Sequence, residues 1–431
     1  MKIAIVGSGV SGLVAAHHLH REHDITVFEA GPYVGGHTNT VDAADPATGG
    51  TIPVDTGFIV FNERTYPNFI ALMRELGVAW QDSDMSFSVK CDATGLEYNG
   101  TSFDALFAQR SNLVRPRFWR MVREILRFYR EAPEVLEGAD RGATLGEFLE
   151  RGRYSSMFVD KHIVPMASAI WSAEPDGLRD FPLRFLVQFF QNHGFMQLED
   201  RPQWLTISGG SREYVKRITA PWADRIRLDT PVVAARRLDG GGVRLRTAGG
   251  DEETFDRVVL ACHSDQALRI LGDGATALER EVVGAFGYQR NTAVLHRDAS
   301  LMPKRKKAWA SWNYHVTDPA SELATVTYWM NELQSLPTST DHFVTLNRDD
   351  AIDPSTVERS IVYHHPIFTL DAVAAQARHD EVDGAGGVHF AGAYWRYGFH
   401  EDGVLSGLRV AERILAPSHG RVQVLTGAAG A

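Results

Sequence analysis

Residues 2–29 read KIAIVGSGVSGLVAAHHLHREHDITVFE: an apolar run, three spaced glycines, a stretch rich in small residues, and a second apolar run closed by an acid. The spacing predicts a strand over 3–6, a helix over 11–21 and a strand over 25–28. Gly7, Gly9 and Gly12 then form G-x-G-x-x-G directly after a strand and at the mouth of a helix. The first glycine permits a tight turn, the second lets a pyrophosphate approach the backbone, and the third lets helix and strand pack closely. The helix N-terminus adds N–H groups and positive potential. Glu29 ends the second strand, where a carboxylate accepts from a ribose 2′-OH and repels a 2′-phosphate, so NADP is disfavoured. Ser11 and Ala30 belong to the same two turns and join the expected cofactor-binding set. These residues predict a bound dinucleotide and leave FAD and NAD both open.

The continuation, EAGPYVGGHTNT (29–40), places Gly35 and Gly36 so soon after the ribose acid that a second backbone approach to the same ligand is expected. In isolation an ordinary glycine-rich turn would look the same.

Bulk composition narrows the class. The chain has 431 residues, enough for two or three domains, and 44% apolar with 23% charged residues is the balance of a globular protein. A formal charge of −10 argues against a general nucleic-acid binder. Only Cys91 and Cys262 occur, far apart, so no disulfide framework or metal cluster is expected, and a reducing cytoplasm is the expected setting. No apolar stretch approaches the ~18 residues of a membrane span.

Further along, residues 103–192 turn helical. In RPRFWRMVREILRFYR (115–130), Phe118, Met121, Val122, Ile125, Leu126 and Tyr129 recur at helical spacing. Strand-like segments follow SGGSREYV (208–215), and 290–370 alternates aromatic and β-branched residues as a sheet does. The chain closes with a strand, a loop and a helix over 388–415, and the small, polar tail 417–431 is expected to be flexible. A nucleotide-binding start, a departure and a strand–loop–helix at the far end predict two interleaved domains. The expected division assigns 1–84, 206–284 and 376–416 to a cofactor domain, with 85–205 (helical) and 285–375 (sheet) forming a substrate domain.

GSGVSGLVAAHHL (7–19) with VFEAGPYVGG (27–36) resembles the opening of the flavin amine oxidase superfamily, which includes monoamine oxidases, protoporphyrinogen oxidase and phytoene desaturases. FAGAYWRYGFHEDGVLSGLRVAE (390–412) resembles its closing segment. The resemblance implies FAD and an α/β fold of the amine oxidase/protoporphyrinogen oxidase type, a Rossmann-like FAD-binding domain interleaved with an α+β substrate domain. It implies that Gly392 is the turn glycine of the closing segment. The run from Gly398 through Phe399, His400, Glu401, Asp402, Gly403 and Val404 matches the loop and helix start beside the flavin ring. Pro231–Val232 resembles the position whose backbone reads adenine, which adds Val232 to the set.

GGHTNTV, DTGFIVFNERTYPNF, GGSREYV and YHHPIFT are similar, more narrowly, to bacterial FAD-binding proteins related to the flavin domain fused to plant cyclopropane fatty-acid synthases. That likeness implies an acyl-lipid substrate and a cyclopropane-synthase-like methyltransferase as partner. Three departures from better-known relatives stand out. His37 follows the double glycine where relatives carry Arg or Lys, Phe399 stands where monoamine oxidases have Tyr, and no cysteine lies near Gly392 to anchor the flavin. FAD is therefore expected to be non-covalent.

Flavin chemistry asks the protein to hold a substrate C–H and exclude water. His364, His365 and His400 are the candidate general bases, because imidazole titrates near neutrality. Trp309, Trp312, Tyr314, Tyr328 and Trp329 could line an apolar tunnel or simply fill a core. The arginine-rich helix near 115–130 and KRKK (304–307) would suit the inner face of an anionic membrane, or be solvated surface. The expected function is FAD-dependent hydride removal from an acyl lipid. The alternatives are oxidation of a small amine, or a non-catalytic flavoprotein assisting a lipid methyltransferase.

Overall fold

The structure, a computed structural model, describes residues 1–415. The expected flexible tail at 417–431 lies outside the described residues. Five strands form an all-parallel sheet: β1 (Lys2–Val6), β2 (Asp24–Phe28), β3 (Ile226–Arg227), β4 (Arg257–Leu260) and β5 (Val388–Phe390). Their spatial order is β3-β2-β1-β4-β5. Strands from the start, middle and end of the chain thus lie side by side. The first strand and helix extend to within two residues of the predicted limits, the helix running Val10–Leu19.

Side-chain alternation along β1 explains the layering. Ile3 and Ile5 pack beneath the Val10–Leu19 and His400–Leu415 helices, while Ala4 and Val6 face a three-stranded antiparallel sheet of Val232–Arg237, Val243–Thr247 and Glu252–Phe255. Buried on both faces, the parallel strands read as continuous apolar runs rather than alternating ones. The two helices meet almost backbone to backbone. A Cβ on Gly407 would stand 2.5 Å from the Ser11 carbonyl oxygen, and one on Gly403 2.4 Å from Val10 Cγ1.

A seven-stranded sheet lies elsewhere in the chain, in the order Val357–Ile367, Gly287–His296, Phe343–Leu346, Val326–Trp329, Trp312–Val316, Phe87–Cys91, Leu96–Asn99. Its members after Gly287 match the sheet pattern read from 290–370. The segment 85–205 adds two strands as well as helices, because Phe87–Cys91 pairs in parallel with Trp312–Val316. Helices Pro116–Glu131, Val164–Trp171 and Leu183–Asn192 join that sheet in one apolar core. Each large apolar side chain buried there contributes roughly 1.5–3 kcal/mol.

One helical face differs from its pattern. In Pro116–Glu131 the buried residues are Phe118, Met121, Glu124 and Phe128, whereas Leu126 is 46% exposed. The Glu124 carboxylate is inside because Ser155 donates to it from both backbone and hydroxyl, and Arg120 Nε donates at 3.0 Å. No helix among the described residues is long and apolar enough to cross a membrane.

Candidate functional site

The register of the parallel sheet brings several chain segments to one crevice. Val6 pairs with Phe28 and with Leu260, and Leu260 pairs with Phe390. The residues that follow, Gly7, Glu29, Ala261 and Ala391 with Gly392 next to it, therefore leave the sheet at the same edge. This carboxyl-end crevice is where ligands bind in open α/β sheets. It opens into a cavity of about 930 Å³.

Gly7, Gly9, Ser11, Glu29, Ala30, Gly35, Gly36, His37 and Val232 all line the cavity, with Gly392, His364, His365 and His400. A Cβ on Gly9 would project into open space, with no atom within 4 Å, so the space against that turn is vacant up to the backbone. The double glycine sits directly upon it. Gly35 N–H donates to the Ser8 carbonyl at 3.1 Å, and a Cβ on Gly36, at φ +61°, would lie 3.2 Å from Gly9 Cα. The two glycine turns thus form one continuous cradle. At its edge the Glu29 carboxylate accepts from the Ser8 N–H at 3.0 Å and the Gly31 N–H at 2.8 Å.

Gly12, Glu401, Asp402, Gly403 and Val404 stand behind this surface rather than on it. Gly12 serves packing, since a Cβ there would fall 2.0 Å from the Gly7 carbonyl oxygen. Glu401 turns away from the cavity to the Pro67–Leu76 helix. It accepts from Asn68 N at 3.0 Å, Asn68 Nδ2 at 2.7 Å and Phe69 N at 2.9 Å, with burial raising its pKa to about 7. Asp402 accepts from Phe399 N–H at 2.9 Å and so caps its own helix. What the closing helix presents to the cavity is its N-terminal end: Gly398, Phe399 and His400. That end carries positive potential from its free N–H groups.

The histidines divide into two groups. His400 is stacked on Phe58 at 3.7 Å between ring centres, and its Nε2 meets the Tyr214 hydroxyl at 2.8 Å. Tyr214 in turn meets Thr38 Oγ1 at 2.7 Å, tying the closing helix to the glycine turn. Burial pushes the His400 pKa down to about 3, so the ring is neutral. The other group is a wall of four: His37, His263, His364 and His365. His37 stacks on Tyr363 at 4.8 Å and lies 5.4 Å from His365 and 6.4 Å from His263. Burial, and then the neighbouring imidazoles His365 and His263, hold the His37 pKa well below its usual value. His263 and His365 are each lowered to about 4, chiefly by burial. His365 Nδ1 is engaged by Asn291 Nδ2 at 3.0 Å, whereas His364 is exposed. His37 Nε2 is buried with no hydrogen-bond partner. An unpaired polar atom in a cavity wall costs stability unless a ligand satisfies it.

Beyond the histidines the cavity becomes an apolar chamber. Ile59, Val60, Met85, Ile170, Phe189 and Val362 are among its walls, and of the aromatic set Trp312 and Tyr328 reach it. Trp309 and Trp329 instead pack edge to face at 5.2 Å, and Tyr314 is buried with its hydroxyl 3.3 Å from Ser168 Oγ. The acidic and basic lining residues of the whole cavity are Glu29 and Arg269. Both belong to the crevice end, Arg269 on the helix after β4 and ion-paired with Asp265.

Sequence reasoning missed His263, Tyr288, Phe58 and Tyr363. The first had a signal: RVVLACHS (257–264) holds a third apolar strand of the same kind, and His263 lies three residues past its end, on the same side of the sheet as Glu29.

The open space at Gly9, the unpaired His37 nitrogen, the ribose-type acid and the helix N-terminus together fit a dinucleotide bearing an electron-rich ring. Known proteins agree with that fit. The chain is 37% identical over 78 residues to the probable zeta-carotene desaturase of Synechococcus elongatus, a stretch covering 18% of this chain and only 15% of that protein. Its fold is that of cyclohexylamine oxidase from Brevibacterium oxydans IH-35A, with TM-score 0.71 and 19% identity over 96% of this chain and 99% of the other. It is likewise similar to the CLA-producing fatty acid isomerase from P. acnes, with TM-score 0.61 and 15% identity over 96% and 98%. The sequence model of the flavin containing amine oxidoreductases matches residues 10–294 and 308–415, nearly the whole described chain, and it is to this family of FAD-dependent oxidoreductases that the protein belongs.

Proposed function

We propose that the protein removes hydride from an acyl lipid of the branched or cyclopropane type. The observation that carries this reading is the chamber wall, which is apolar and aromatic and has no carboxylate beyond the crevice end. A cationic amine desolvated there would lack a counter-charge, at a cost of several kcal/mol. An acyl chain instead gains about 0.8 kcal/mol for each CH₂ it buries. The names of two similar proteins, a zeta-carotene desaturase and a fatty acid isomerase, point the same way. So does the resemblance to the flavin domain of plant cyclopropane fatty-acid synthases.

Bound FAD would supply a two-electron acceptor for a substrate C–H bond. The chain's own residues hold and orient it. In this reading Glu29 accepts from the ribose hydroxyls, Gly9 and Gly36 bring backbone to the pyrophosphate, and Val232 meets the adenine. The His400 helix end, which lines the cavity, would favour an electron-rich part of the ring. FAD is held without a covalent link, because neither Cys91 nor Cys262 lies in the 388–404 stretch. Desaturation releases a hydride and a proton. With FAD bound as the hydride acceptor, the neutral His365 imidazole would take the proton and pass it to solvent through the exposed His364.

Anaerobic mixing of the yellow holoprotein with branched-chain or cyclopropane acyl lipids tests this reading. Loss of the visible flavin band, with a product two hydrogens lighter by mass spectrometry, is the expected result. Bleaching by cyclohexylamine or putrescine, with none from any acyl lipid, would overturn it.

A further inference from the structure

Away from the cavity, one surface combines exposed apolar side chains with a concentration of positive charge. Residues 103–130 hold seven arginines against two carboxylates, and 304–307 add four cations, in a chain of net charge −10. The structure brings these two segments together. Asp104 is ion-paired both to Lys307, at 2.8 Å, and to Arg110, and Lys306 Nζ lies 4.8 Å over the Trp309 ring.

At the centre of the surface stand apolar groups. Phe103 is 65% exposed, Leu113 40% and Val114 82%. They are held in place rather than loose. Phe103 packs on Phe107 at 4.7 Å, Phe107 on Trp119 at 5.0 Å, and Trp119 Nε1 donates to the Leu113 carbonyl at 2.8 Å. Along Pro116–Glu131 the same outward face continues through Trp119, Arg123, Leu126 and Arg130, all exposed, while Phe118, Met121 and Phe128 hold the inner face. Among the described residues, Arg115, Arg117, Arg123, Lys304 and Lys306 have no carboxylate at ion-pair distance.

From this arrangement we infer that the surface around Phe103, Val114 and the outer face of Pro116–Glu131 docks on an anionic phospholipid membrane. Cations ringing aliphatic and aromatic knobs match a leaflet whose headgroups are negative and whose interior is apolar. The aliphatic side chains have no use against a phosphate backbone, which argues against nucleic acid. A second copy of the chain would bring two like-charged surfaces together, which argues against self-association. The inference does not depend on the acyl-lipid reading of the cavity. Failure of acyl substrates would leave vesicle binding in place, and failure at vesicles would leave the cavity's substrate open.

Flotation of the FAD-loaded protein with vesicles tests it. Binding is expected to vesicles of phosphatidylcholine with 30% phosphatidylglycerol, on the order of the anionic fraction used in such assays, and not to phosphatidylcholine alone. It should be lost in 1 M salt, where the screening length falls to about 3 Å. Arg117→Ala with Arg123→Ala should weaken partitioning roughly twenty-fivefold, at about fivefold per cation. Val114→Asp should do so about tenfold or more. Unchanged flavin absorbance and circular dichroism in both variants would show that the fold is intact. Absence of binding to anionic vesicles, equal binding to neutral ones, or full binding by either folded variant would each overturn the inference.

Discussion

Glu401 separates two roles that its position in the closing segment leaves entangled, contact with the cofactor and support of the fold. Its carboxylate lies between two helix N-termini, its own and that of Pro67–Leu76, and accepts from Asn68 N, Asn68 Nδ2 and Phe69 N at 3.0, 2.7 and 2.9 Å. Glu401→Ala removes those acceptors from two buried backbone donors. Each buried donor deprived of its partner costs about 1–3 kcal/mol, and loss of a helix cap alone about 0.5–2 kcal/mol. Because the donors share one site and their losses do not add, the expected destabilisation is about 3 kcal/mol. For a chain of this size that corresponds to a fall in Tm of roughly 3 °C. Glu401→Gln keeps one acceptor oxygen but sets an amide NH₂ against a donor, so about half the loss is expected. The assay is thermal unfolding of the FAD-free protein beside FAD affinity measured by flavin fluorescence. Both variants should lower the Tm of the FAD-free protein while leaving FAD affinity within about threefold. An unchanged Tm with a tenfold or larger loss of FAD affinity would refute the capping account and make Glu401 a cofactor ligand.

His37→Ala should weaken FAD about tenfold by fluorescence titration, roughly the net worth of one hydrogen bond in a buried site; unchanged affinity would make His37 a structural ring only. If His365 is the base, its pKa of about 4 leaves it deprotonated above that pH. kcat/KM should then rise as pH increases through about 4 and stay flat to neutrality; an inflection near 6.5 would point to a different group. Folding stability should fall on mild acidification. His162, His193, His263, His296 and His365 are lowered to about 4 by burial, so between pH 6.5 and 4 the unfolded chain binds protons that the folded one does not. Asp55, Glu401 and Asp402, raised to about 6, 7 and 6, oppose this trend but are fewer. The urea midpoint at pH 5 should therefore lie below that at pH 7, and the reverse order would contradict the assignment. Ile170→Trp, which fills part of the chamber, should cut kcat/KM for long acyl substrates by about tenfold or more and spare short ones; equal losses for both would argue that the chain does not enter there.

How much of this was legible in the sequence depended on how local the cause was. The crevice is built by turns whose chemistry is written within a few residues, and Gly7, Gly9, Glu29, Gly35 and Gly36 could be placed on it before any coordinates. The Phe87–Cys91 strand and its hairpin partner Leu96–Asn99 carry a local turn signal in DATG (92–95), whereas the parallel pairing of that strand with Trp312–Val316, more than two hundred residues away, leaves no local pattern. Glu124 shows the same limit on a smaller scale. Periodicity puts a carboxylate on the solvent side, and only the approach of Ser155 from another segment makes its burial affordable. In the closing helix the Glu401 and Asp402 side chains turn into the packing around the helix start, towards Asn68 and Phe399. What the first turn of that helix offers at its end is backbone N–H groups rather than those two side chains.

Two of the departures noted in the sequence, His37 and Phe399, take on a common meaning in the folded chain. Relatives carry a fixed cation after the double glycine, and monoamine oxidases a phenol at the second position. Here the first becomes an imidazole kept neutral by burial and by the imidazoles beside it, and the second a hydrocarbon ring stacked on Phe189 at 4.8 Å. His400, His365 and His263 are also neutral at physiological pH, chiefly through burial. A site that replaces charge and phenol with neutral rings gives up electrostatic hold on a polar substrate. What it gains is a dry wall, against which a long apolar chain loses nothing on entry and a charged one loses most of its hydration. Restoring the cation by His37→Arg should therefore leave FAD bound, since Arg is the residue relatives use there, yet lower turnover of an apolar substrate by drawing water into the chamber. Loss of FAD in that variant, or turnover equal to the unaltered protein, would show that the neutrality of this wall has no part in selecting the substrate.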